Sequence, residues 1–256
     1  MVQQLRQQKL LQALDRARQM SVADVMQQLN VSRDTARRDI VAITEKGLAQ
    51  RIHGGVQVLN FGSKIPSFQD RLQQFTATKI GLAKTVLPLI TAGQYVFIDV
   101  STTLLKLTQL LTQQVTVYTH SLDNAISLAT NPAITLHVLG GELNQMNRFM
   151  AGPETLAALR HVQFDQVIVG AVTVTATGIY FSDEADAAVK RQALAQTAQG
   201  VLVCEHRKFG QVARFQGGTL AQLQVVVTDE PLRPTERAWF KPTTTFMTLT
   251  GGLQDD

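Results

Sequence analysis

The 256-residue sequence contains a single cysteine, a single tryptophan and no apolar run of about 18 residues. One cysteine excludes a disulfide framework and a zinc site made of thiolates alone, and the apolar stretch around Cys204 predicts a buried strand. The first ten residues contain no apolar core of the kind found in secretion signals. We therefore expect a soluble cytoplasmic protein that does not bind membranes.

Excess positive charge is confined to the start of the chain. Residues 1–60 contain nine lysines and arginines and five acidic residues, whereas the remaining 196 residues contain 15 of each sign. The net charge of +4 therefore belongs to the first quarter of the sequence. A basic segment joined to a neutral remainder predicts two unequal domains, the smaller of which binds a polyanion.

Three helices are predicted in the basic segment, because apolar residues recur three and four positions apart in three successive stretches. Ser21 is a suitable N-cap for the second helix, Ser32 for the third, and Gly47 is a suitable stop for the third. The tight turn between the second and third helices, at Asn30 and Val31, completes a helix-turn-helix pattern.

A β-hairpin is predicted after the third helix. Two short alternating segments, 48–52 and 56–59, flank Gly54 and Gly55, a pair that is typical of a hairpin turn. A hairpin beside a helix-turn-helix forms a wing. We therefore predict a winged helix-turn-helix domain over residues 1–59.

The third predicted helix and the wing carry seven candidates for contacts with DNA: Ser32, Arg33, Thr35, Arg37, Arg38, Arg51 and His53. A recognition helix presents its N-terminal residues to base edges, so Arg33, Thr35 and Arg37 are assigned to bases in the major groove. Arg38 and the capping serine are assigned to phosphates. The two wing residues are placed for the DNA backbone or the minor groove. DNA would repel Asp39, which we expect to orient an arginine or to pair within the domain.

From residue 76 onwards, β-branched apolar runs alternate with amphipathic helical patterns. Strands are predicted at 95–100, 115–120, 134–141, 165–172, 201–205 and 224–229. This alternation predicts an α/β domain with a doubly wound, largely parallel sheet over residues 76–256. Residues 60–75 contain glycine, serine and proline, and are expected to link the two domains.

Polar and glycine-containing segments follow several predicted strands. They are DVSTT at 99–103, THS at 119–121, LGGE at 139–142, GP at 152–153 and KFG at 208–210. Ligands of doubly wound sheets bind outside the carboxyl ends of the strands, where hydroxyls and backbone N–H groups suit a phosphate. As a set, these segments favour a small anionic ligand.

The motifs VSRDTARRDI at 31–40 and RIHGGV at 51–56 resemble the signature of the DeoR-type family of bacterial transcription regulators. Further motifs of this family are similar to the segments after the predicted strands, so the resemblance spans nearly the whole chain. It implies a repressor of a carbohydrate-utilisation operon that is controlled by a phosphorylated sugar. It also implies that residues 76–256 sense the effector, mediate oligomerisation and resemble ribose-5-phosphate isomerase and CoA-transferase folds. Because one helix-turn-helix reads a short half-site, we expect a homodimer or homotetramer on double-stranded operator DNA.

The resemblance also implies an effector site in the larger domain. Its residues are Lys79, Asp99, Ser101, Thr102, Thr103, His120, Gly140, Gly141, Gly152 and Lys208. The chain departs from the family pattern at Ser101, where glycine is usual, at His120, where asparagine is usual, and at Glu205, where aspartate is usual. A changed effector, weak binding and no binding are therefore alternatives to the usual sugar phosphate.

Two other functions are alternatives: a sugar-phosphate isomerase or transferase with a DNA-binding appendage, and a regulator that senses a protein partner. Isomerisation needs a carboxylate base and a partner for the oxyanion, but Val172 stands where the isomerase-like pattern would supply the acid. The five histidines are scattered, and no group has metal-ligand spacing. We therefore predict no catalytic residues, no metal and no cofactor.

Overall fold

The computed structural model describes residues 3–45, 48–58 and 67–249. The elements of its N-terminal part are α1 (Gln3–Ala17), β1 (Gln19–Ser21), α2 (Val22–Leu29), α3 (Arg33–Glu45), β2 (Gln50–Ile52) and β3 (Gly55–Gln57). The strands form an antiparallel sheet in the order β1–β3–β2. The predicted winged helix-turn-helix is thereby confirmed, while Gly47, the predicted stop of the third helix, lies outside the described residues.

Local interactions define the two ends of α2. Ser21 Oγ accepts a hydrogen bond from Asp24 N at 3.1 Å, and Asp24 Oδ2 accepts one from Ser21 N at 2.7 Å, which begins α2 with a capping box. Asn30 ends α2 in the left-handed conformation, with φ 52°. The short core beneath these elements is apolar and includes the fully buried Val25 and Ile43.

The wing differs in detail from its prediction. Gly54, with φ 77°, lies in the turn, whereas Gly55 is the first residue of β3. A side chain at Gly55 would meet the backbone oxygen of Met20 at 2.2 Å, because β1 packs against β3 there. β1 was not predicted, since three residues are too few to show an alternating pattern.

The C-terminal part is an α/β domain with two further small sheets. Its elements are α4 (Phe68–Gln73), α5 (Thr76–Val86), β4 (Tyr95–Ile98), α6 (Thr102–Leu110), β5 (Val115–Thr119), α7 (Leu122–Leu128), β6 (Ile134–Val138), β7 (Glu142–Asn144), β8 (Phe149–Ala151), α8 (Pro153–Leu159), β9 (Gln166–Val169), β10 (Thr173–Thr175), β11 (Gly178–Phe181), α9 (Glu184–Leu194), β12 (Gly200–Val203), β13 (Phe215–Gly218), β14 (Leu223–Thr228), α10 (Pro234–Arg237) and β15 (Thr245–Thr248). Short 3-10 turns cover Leu87–Leu89, His206–Lys208 and Leu220–Gln222.

Seven parallel strands form the main sheet, in the order β15–β14–β12–β9–β4–β5–β6. Successive strand residues face opposite apolar clusters: Phe97 and Val167 pack under α8 and α9, whereas Val96 and Ile168 pack under α5, α6 and α7. Both faces are therefore covered by helices, as the continuous apolar strands predicted. From β4 the chain first adds β5 and β6 on one side, and then β9, β12, β14 and β15 on the other.

Several short elements were not predicted. The hairpin of β7 and β8 and the small sheet β10–β11–β13 consist of strands of three or four residues. α4 lies within the stretch 60–75 that was expected to be a linker, and residues 60–66 of that stretch are outside the described part. Ser67 caps α4, and Phe68 is fully buried, so this end of the stretch packs as part of the C-terminal domain.

Cys204 directly follows β12 and is fully buried, as its apolar surroundings predicted. Burial raises the pKa of its thiol to about 12, which makes it a poor nucleophile at neutral pH. No helix among the described residues combines the length and apolar character needed to cross a membrane.

Candidate functional site

A cavity of about 290 Å³ lies where the strand order of the main sheet reverses. It is lined by residues that follow the carboxyl ends of β4, β9 and β12 and by residues of α4, α5 and α9. Gly170 N donates a hydrogen bond to Asp99 Oδ2 at 3.0 Å and so joins the ends of β4 and β9. Doubly wound sheets bind ligands at this switch point, and the volume is near the lower limit of about 300 Å³ for small-molecule sites.

Four cationic side chains line this cavity: Arg71, Lys79, Arg207 and Lys208. Glu205 is their carboxylate neighbour, with Oε2 at 2.9 Å from Lys208 Nζ and Oε1 at 3.4 Å from the Arg207 guanidinium. Burial raises the pKa of Glu205, but the charge and hydrogen bond of Lys208 outweigh this effect and lower the pKa to about 2. Glu205 is therefore ionised and offsets part of the positive charge.

Lys79 is the most strongly perturbed cation of the group. Burial lowers the pKa of its ammonium to about 8; Glu205 opposes this shift, while Lys208, Arg207 and Arg71 add to it. Its Nζ donates a hydrogen bond to the backbone oxygen of Arg71. Lys79 thus lies close to other positive charges in the cavity lining, which we call its cationic wall. This arrangement favours binding of an anion.

A second group of four ionisable side chains is buried beside the cavity: Asp99, His120, Asp186 and Lys190. Asp99 and Asp186 also line the cavity, and we call this part of the lining its acidic wall. Lys190 Nζ lies 2.8 Å from Asp99 Oδ1 and contacts Asp186 Oδ1 more closely still. His120 Nε2 lies 3.2 Å from the same Asp186 oxygen. The ring of His120 stacks on Phe97, with 5.6 Å between centroids.

Burial acts against the charged form of each buried group, and the neighbours decide the outcome. The pKa of Lys190 is raised, because both carboxylates outweigh its burial. The pKa of Asp186 is lowered despite burial, owing to Lys190 and His120. The pKa of Asp99 is raised, because burial and the like charge of Asp186 outweigh its pairing with Lys190. Asp186, which also lines the cavity, therefore presents a fixed negative charge to it.

Three residues that the sequence does not space as metal ligands come close together in the fold. Ligand atoms of Asp99, His120 and Asp186 lie within 4.8 Å of one another, because the sheet and α9 bring together residues far apart in sequence. The Lys190 ammonium contacts both carboxylates of this set. A metal ion bound there would have to displace that ammonium.

Five of the ten predicted effector residues line the cavity: Lys79, Asp99, Ser101, Thr102 and Lys208. Ser101 Oγ accepts a hydrogen bond from Thr103 N at 3.2 Å and is the N-cap of α6. The hydroxyl of the serine that replaces the usual glycine is therefore engaged in capping the helix. Thr102 contributes from the first turn of α6, beside its exposed N–H groups.

The other five predicted effector residues are absent from the cavity lining: Thr103, His120, Gly140, Gly141 and Gly152. Thr103 and His120 are buried behind the wall. The three glycines follow β6 and β8, where a side chain on Gly141 would meet the backbone oxygen of Ala151 at 2.6 Å. Close packing against the end of β8 therefore accounts for the glycine at 141, and the assignment of the three glycines to the effector stays a prediction.

Sequence reasoning missed several charged residues of the site: Arg71, Asp183, Asp186, Lys190 and Arg207. Asp186 and Lys190 are four residues apart, which places both side chains on one face of α9 and is visible in the sequence. Asp183 caps the same helix through hydrogen bonds from Ala185 N and Asp186 N. These carboxylates were overlooked because acid was sought at Val172.

The candidate DNA-facing surface lies on α3 and the wing. Ser32 Oγ accepts a hydrogen bond from Thr35 N at 3.4 Å, which is consistent with a capping role. Arg33, Arg37 and Arg38 are all exposed. Arg37 also lines a groove of about 300 Å³ together with Arg51 and His53, so the helix and the wing share a concave basic surface.

Asp39 faces the interior of the domain. It is fully buried and pairs with Arg6, with Nε 2.7 Å from Oδ2 and a guanidinium NH2 group 3.2 Å from Oδ1. The expectation that Asp39 pairs within the domain is confirmed. The partner arginine comes from α1 and not from α3.

Two family models match the chain and together cover most of it. The DeoR-like helix-turn-helix domain matches residues 6–60, and the DeoR C terminal sensor domain matches residues 74–230, more than half of the sequence. The chain belongs to the DeoR family. The predicted family is thereby confirmed, and the chain is a helix-turn-helix transcriptional regulator.

Curated relatives within the DeoR family align over nearly their full length. The HTH-type transcriptional repressor GlcR of Bacillus subtilis is 30% identical, over 90% of this chain and 89% of the relative. The lactose phosphotransferase system repressor of Lactococcus lactis is 29% identical, over 94% of this chain and 97% of the relative.

Solved structures resemble the DeoR-family chain only distantly. Ribose 5-phosphate isomerase A from Methanocaldococcus jannaschii matches 52% of this chain and 54% of its own, with 14% identity and a TM-score of 0.37. This likeness is too remote to support an inference about activity.

Proposed function

We propose that this DeoR-family protein represses a carbohydrate-utilisation operon and that a phosphorylated sugar in the cavity controls its binding to operator DNA. Residues 1–59 bind DNA, and residues 76–256 sense the effector and form a homodimer or homotetramer in the cytoplasm. The observation that carries the proposal is the cluster of four cationic side chains at the switch point of the sheet. The names of the curated relatives GlcR and the lactose phosphotransferase system repressor support the carbohydrate assignment.

The cationic wall of the cavity holds the phosphate. Lys79 and Lys208 are cations within the lining, and Thr102 adds a hydroxyl and the N-terminal end of α6. The hydroxyl groups of the sugar meet the acidic wall at Asp186, which contacts Lys190. Ionised carboxylates accept hydrogen bonds from hydroxyls, so this wall orients the sugar rather than the phosphate.

Sensing accounts for the charged groups better than catalysis does. A general base works best with a pKa near the operating pH, but the pKa values of Asp186 and Glu205 are lowered by their cationic neighbours. Asp99 has a raised pKa but is fully buried, and one of its oxygens accepts the hydrogen bond from Gly170 N. We therefore propose that the cavity binds its sugar phosphate without converting it.

The exposed face of α3 reads the operator. Arg33, Thr35 and Arg37 contact base edges in the major groove, while Arg38 and the capping Ser32 contact phosphates. Arg51 and His53 hold the DNA backbone from the wing. Arg37 lines the same groove as these two wing residues, so the base contacts of α3 and the backbone contacts of the wing lie next to each other.

Two linked measurements test this function. DNA that binds the full-length protein would be selected from a random pool, and its affinity measured by fluorescence anisotropy with and without a panel of phosphorylated sugars. We expect one enriched sequence and a change of at least tenfold in affinity with one sugar phosphate, whereas the unphosphorylated sugar has no effect. No enriched sequence would refute operator binding, and an unchanged affinity across the panel would refute sugar-phosphate control.

A further inference from the structure

The segment that follows the DNA-binding domain forms part of the cavity wall. α4 begins 11 residues after the end of β3 and is the first helix after the wing among the described residues. Arg71 of α4 and Gln74, the residue that ends it, both line the cavity. A ligand in the cavity therefore touches the part of the sensor domain that is closest in sequence to the DNA-binding domain.

Arg71 shares the lining of the cavity with two carboxylates, Asp186 and Glu205. Burial lowers the pKa of its guanidinium, while the carboxylates of Asp186 and Glu205 act in the opposite direction. These carboxylates belong to α9 and to the segment after β12, and both line the same cavity as Arg71. Its guanidinium also lies over the ring of Phe68, 5.9 Å from the centroid.

Two other cations of the wall hold the end of α4 in place. Lys79 Nζ donates a hydrogen bond to the backbone oxygen of Arg71. The Arg207 guanidinium lies 4.2 Å from the ring centroid of Phe75, which adopts a left-handed conformation with φ 53° just after α4. Cations that line the cavity thus help to attach α4 to the sensor domain, together with the buried side chain of Phe68.

We propose that Arg71 and Lys79 couple the cavity to the DNA-binding domain, so that an anion bound between them tightens α4 onto the sensor domain. This inference rests on the proposed function of the cavity as an effector site. Arg71, Arg207 and Lys208 each act to remove the proton from Lys79. A bound anion reduces the repulsion between Arg71 on α4 and the other cations of the cavity. It also keeps Lys79 protonated, so that Lys79 can donate its hydrogen bond to Arg71.

A ligand that contacts Arg71 also contacts α4, the helix next to the DNA-binding domain in sequence. A ligand held by Lys208 and Thr102 alone would contact only elements that follow the sheet strands. Through Arg71, the same ligand also contacts α4, whose position sets where the chain leaves for the DNA-binding domain. The effector therefore controls the placement of the DNA-binding domain by how tightly it holds α4 on the sensor domain.

Hydrogen exchange of the full-length protein, measured by mass spectrometry, tests the coupling with inorganic phosphate as the probe. Sodium chloride at equal ionic strength serves as the reference. We expect phosphate to slow exchange in peptides covering 67–75, as well as in those covering 101–103 and 205–210. Slowing confined to 101–103 and 205–210 would overturn the coupling and leave the effector site standing. No slowing in any of these peptides would overturn both.

Substitution of Arg71 tests its own contribution to the coupling. Arg71→Gln is expected to abolish the slowing at 67–75, to retain it at 205–210 and to weaken phosphate binding by roughly tenfold or more. Arg160→Gln is the matched control, because Arg160 is exposed after α8 and does not line the cavity. Fluorescence of Trp239, the single tryptophan, reports that each variant is folded. Wild-type slowing at 67–75 in folded Arg71→Gln would overturn the role of Arg71.

Discussion

Lys190 Nζ lies 2.8 Å from Asp99 Oδ1, and both side chains are almost completely inaccessible to solvent. The same ammonium contacts Asp186 and lies over the ring of Phe181, 4.4 Å from the centroid. One cation thus supports two carboxylates beneath the acidic wall of the cavity. Burying these charges is costly, so the group holds together only while each member keeps its partner.

Removal of the ammonium is predicted to destabilise the sensor domain. Lys190→Met leaves two buried carboxylates without their cation and should lower the free energy of unfolding by roughly 3–5 kcal/mol. Urea unfolding followed by Trp239 fluorescence measures this, since Trp239 stacks on Phe209 of the same domain. Lys106→Met on α6 is the control and should change stability by less than about 0.5 kcal/mol. A loss below about 1 kcal/mol in Lys190→Met would show that the carboxylates are not held by this lysine.

Anion binding is predicted to weaken as the pH rises through about 8, the pKa of Lys79. Above this pH the folded protein loses the proton of Lys79, and with it a charge that attracts the anion. Sulfate is a suitable probe because its own charge is constant over this range; its affinity should fall roughly tenfold between about pH 7 and 9. Lys79→Arg keeps its charge throughout and should bind sulfate with little pH dependence. An equal fall in wild type and Lys79→Arg would assign the effect to another group.

Long apolar strands and the helix-turn-helix were predictable because each has a periodic pattern that local sequence carries. The cationic wall was half predictable: Lys79 and Lys208 belong to recognisable motifs, while Arg71 lies in a stretch whose glycine, serine and proline content predicted a linker. Ser67 and Asp70 nevertheless form a capping box that starts α4. The helix could have been found from that pair.

The buried charge group could not be read from spacing alone. Asp186 and Lys190 form a recognisable helical pair, but Asp99 and His120 reach them only because β4 and β5 end beside α9. The glycine at 141 shows a second limit of motif reasoning. A glycine required for close packing and a glycine required for a ligand give the same sequence signal, and only the contact of Gly141 with Ala151 distinguishes them.

Glu205 is predicted to stabilise the folded protein at neutral pH and to lose this effect in acid. Its pKa is lowered from 4.5 to about 2 in the folded state, so its contribution is complete above about pH 5 and disappears as the pH falls towards 2. The shift corresponds to roughly 3 kcal/mol at pH 7. Glu205→Gln should therefore differ from wild type by about that amount at pH 7 and by much less near pH 3, in urea unfolding at each pH. Glu142→Gln, an exposed change, is the control. A difference that is constant with pH would contradict the ion pair with Lys208.

The salt dependence of DNA affinity is predicted to distinguish residues that contact phosphates from residues that contact bases. Arg51→Ala should lower affinity for all sequences and reduce the slope of log affinity against log salt by about 1. Arg33→Ala should cost about 1–3 kcal/mol on the selected sequence and relax base preference at one position. Arg16→Ala, exposed on α1, is the matched control. Anisotropy titrations at several salt concentrations measure all three, and an unchanged slope in Arg51→Ala would remove the wing from the interface.

The hydroxyl of Ser101 is predicted to cap α6 and not to bind the effector. Ser101 Oγ accepts the hydrogen bond from Thr103 N, so Ser101→Ala should lower the free energy of unfolding by about 1 kcal/mol through loss of the cap. Ser101→Gly should cost only a few tenths of a kcal/mol, because glycine is tolerated at this position of a helix.

Both variants should bind sulfate within about threefold of wild type, since the cations and the N–H groups of α6 are unchanged. Urea unfolding and calorimetric titration measure the two effects separately. Thr102→Val is the matched comparison, because it removes a hydroxyl one position along in the same lining. It should weaken binding more than either change at Ser101. A loss of more than tenfold in Ser101→Ala, with Thr102→Val unaffected, would identify the serine hydroxyl as the ligand and the cap as incidental.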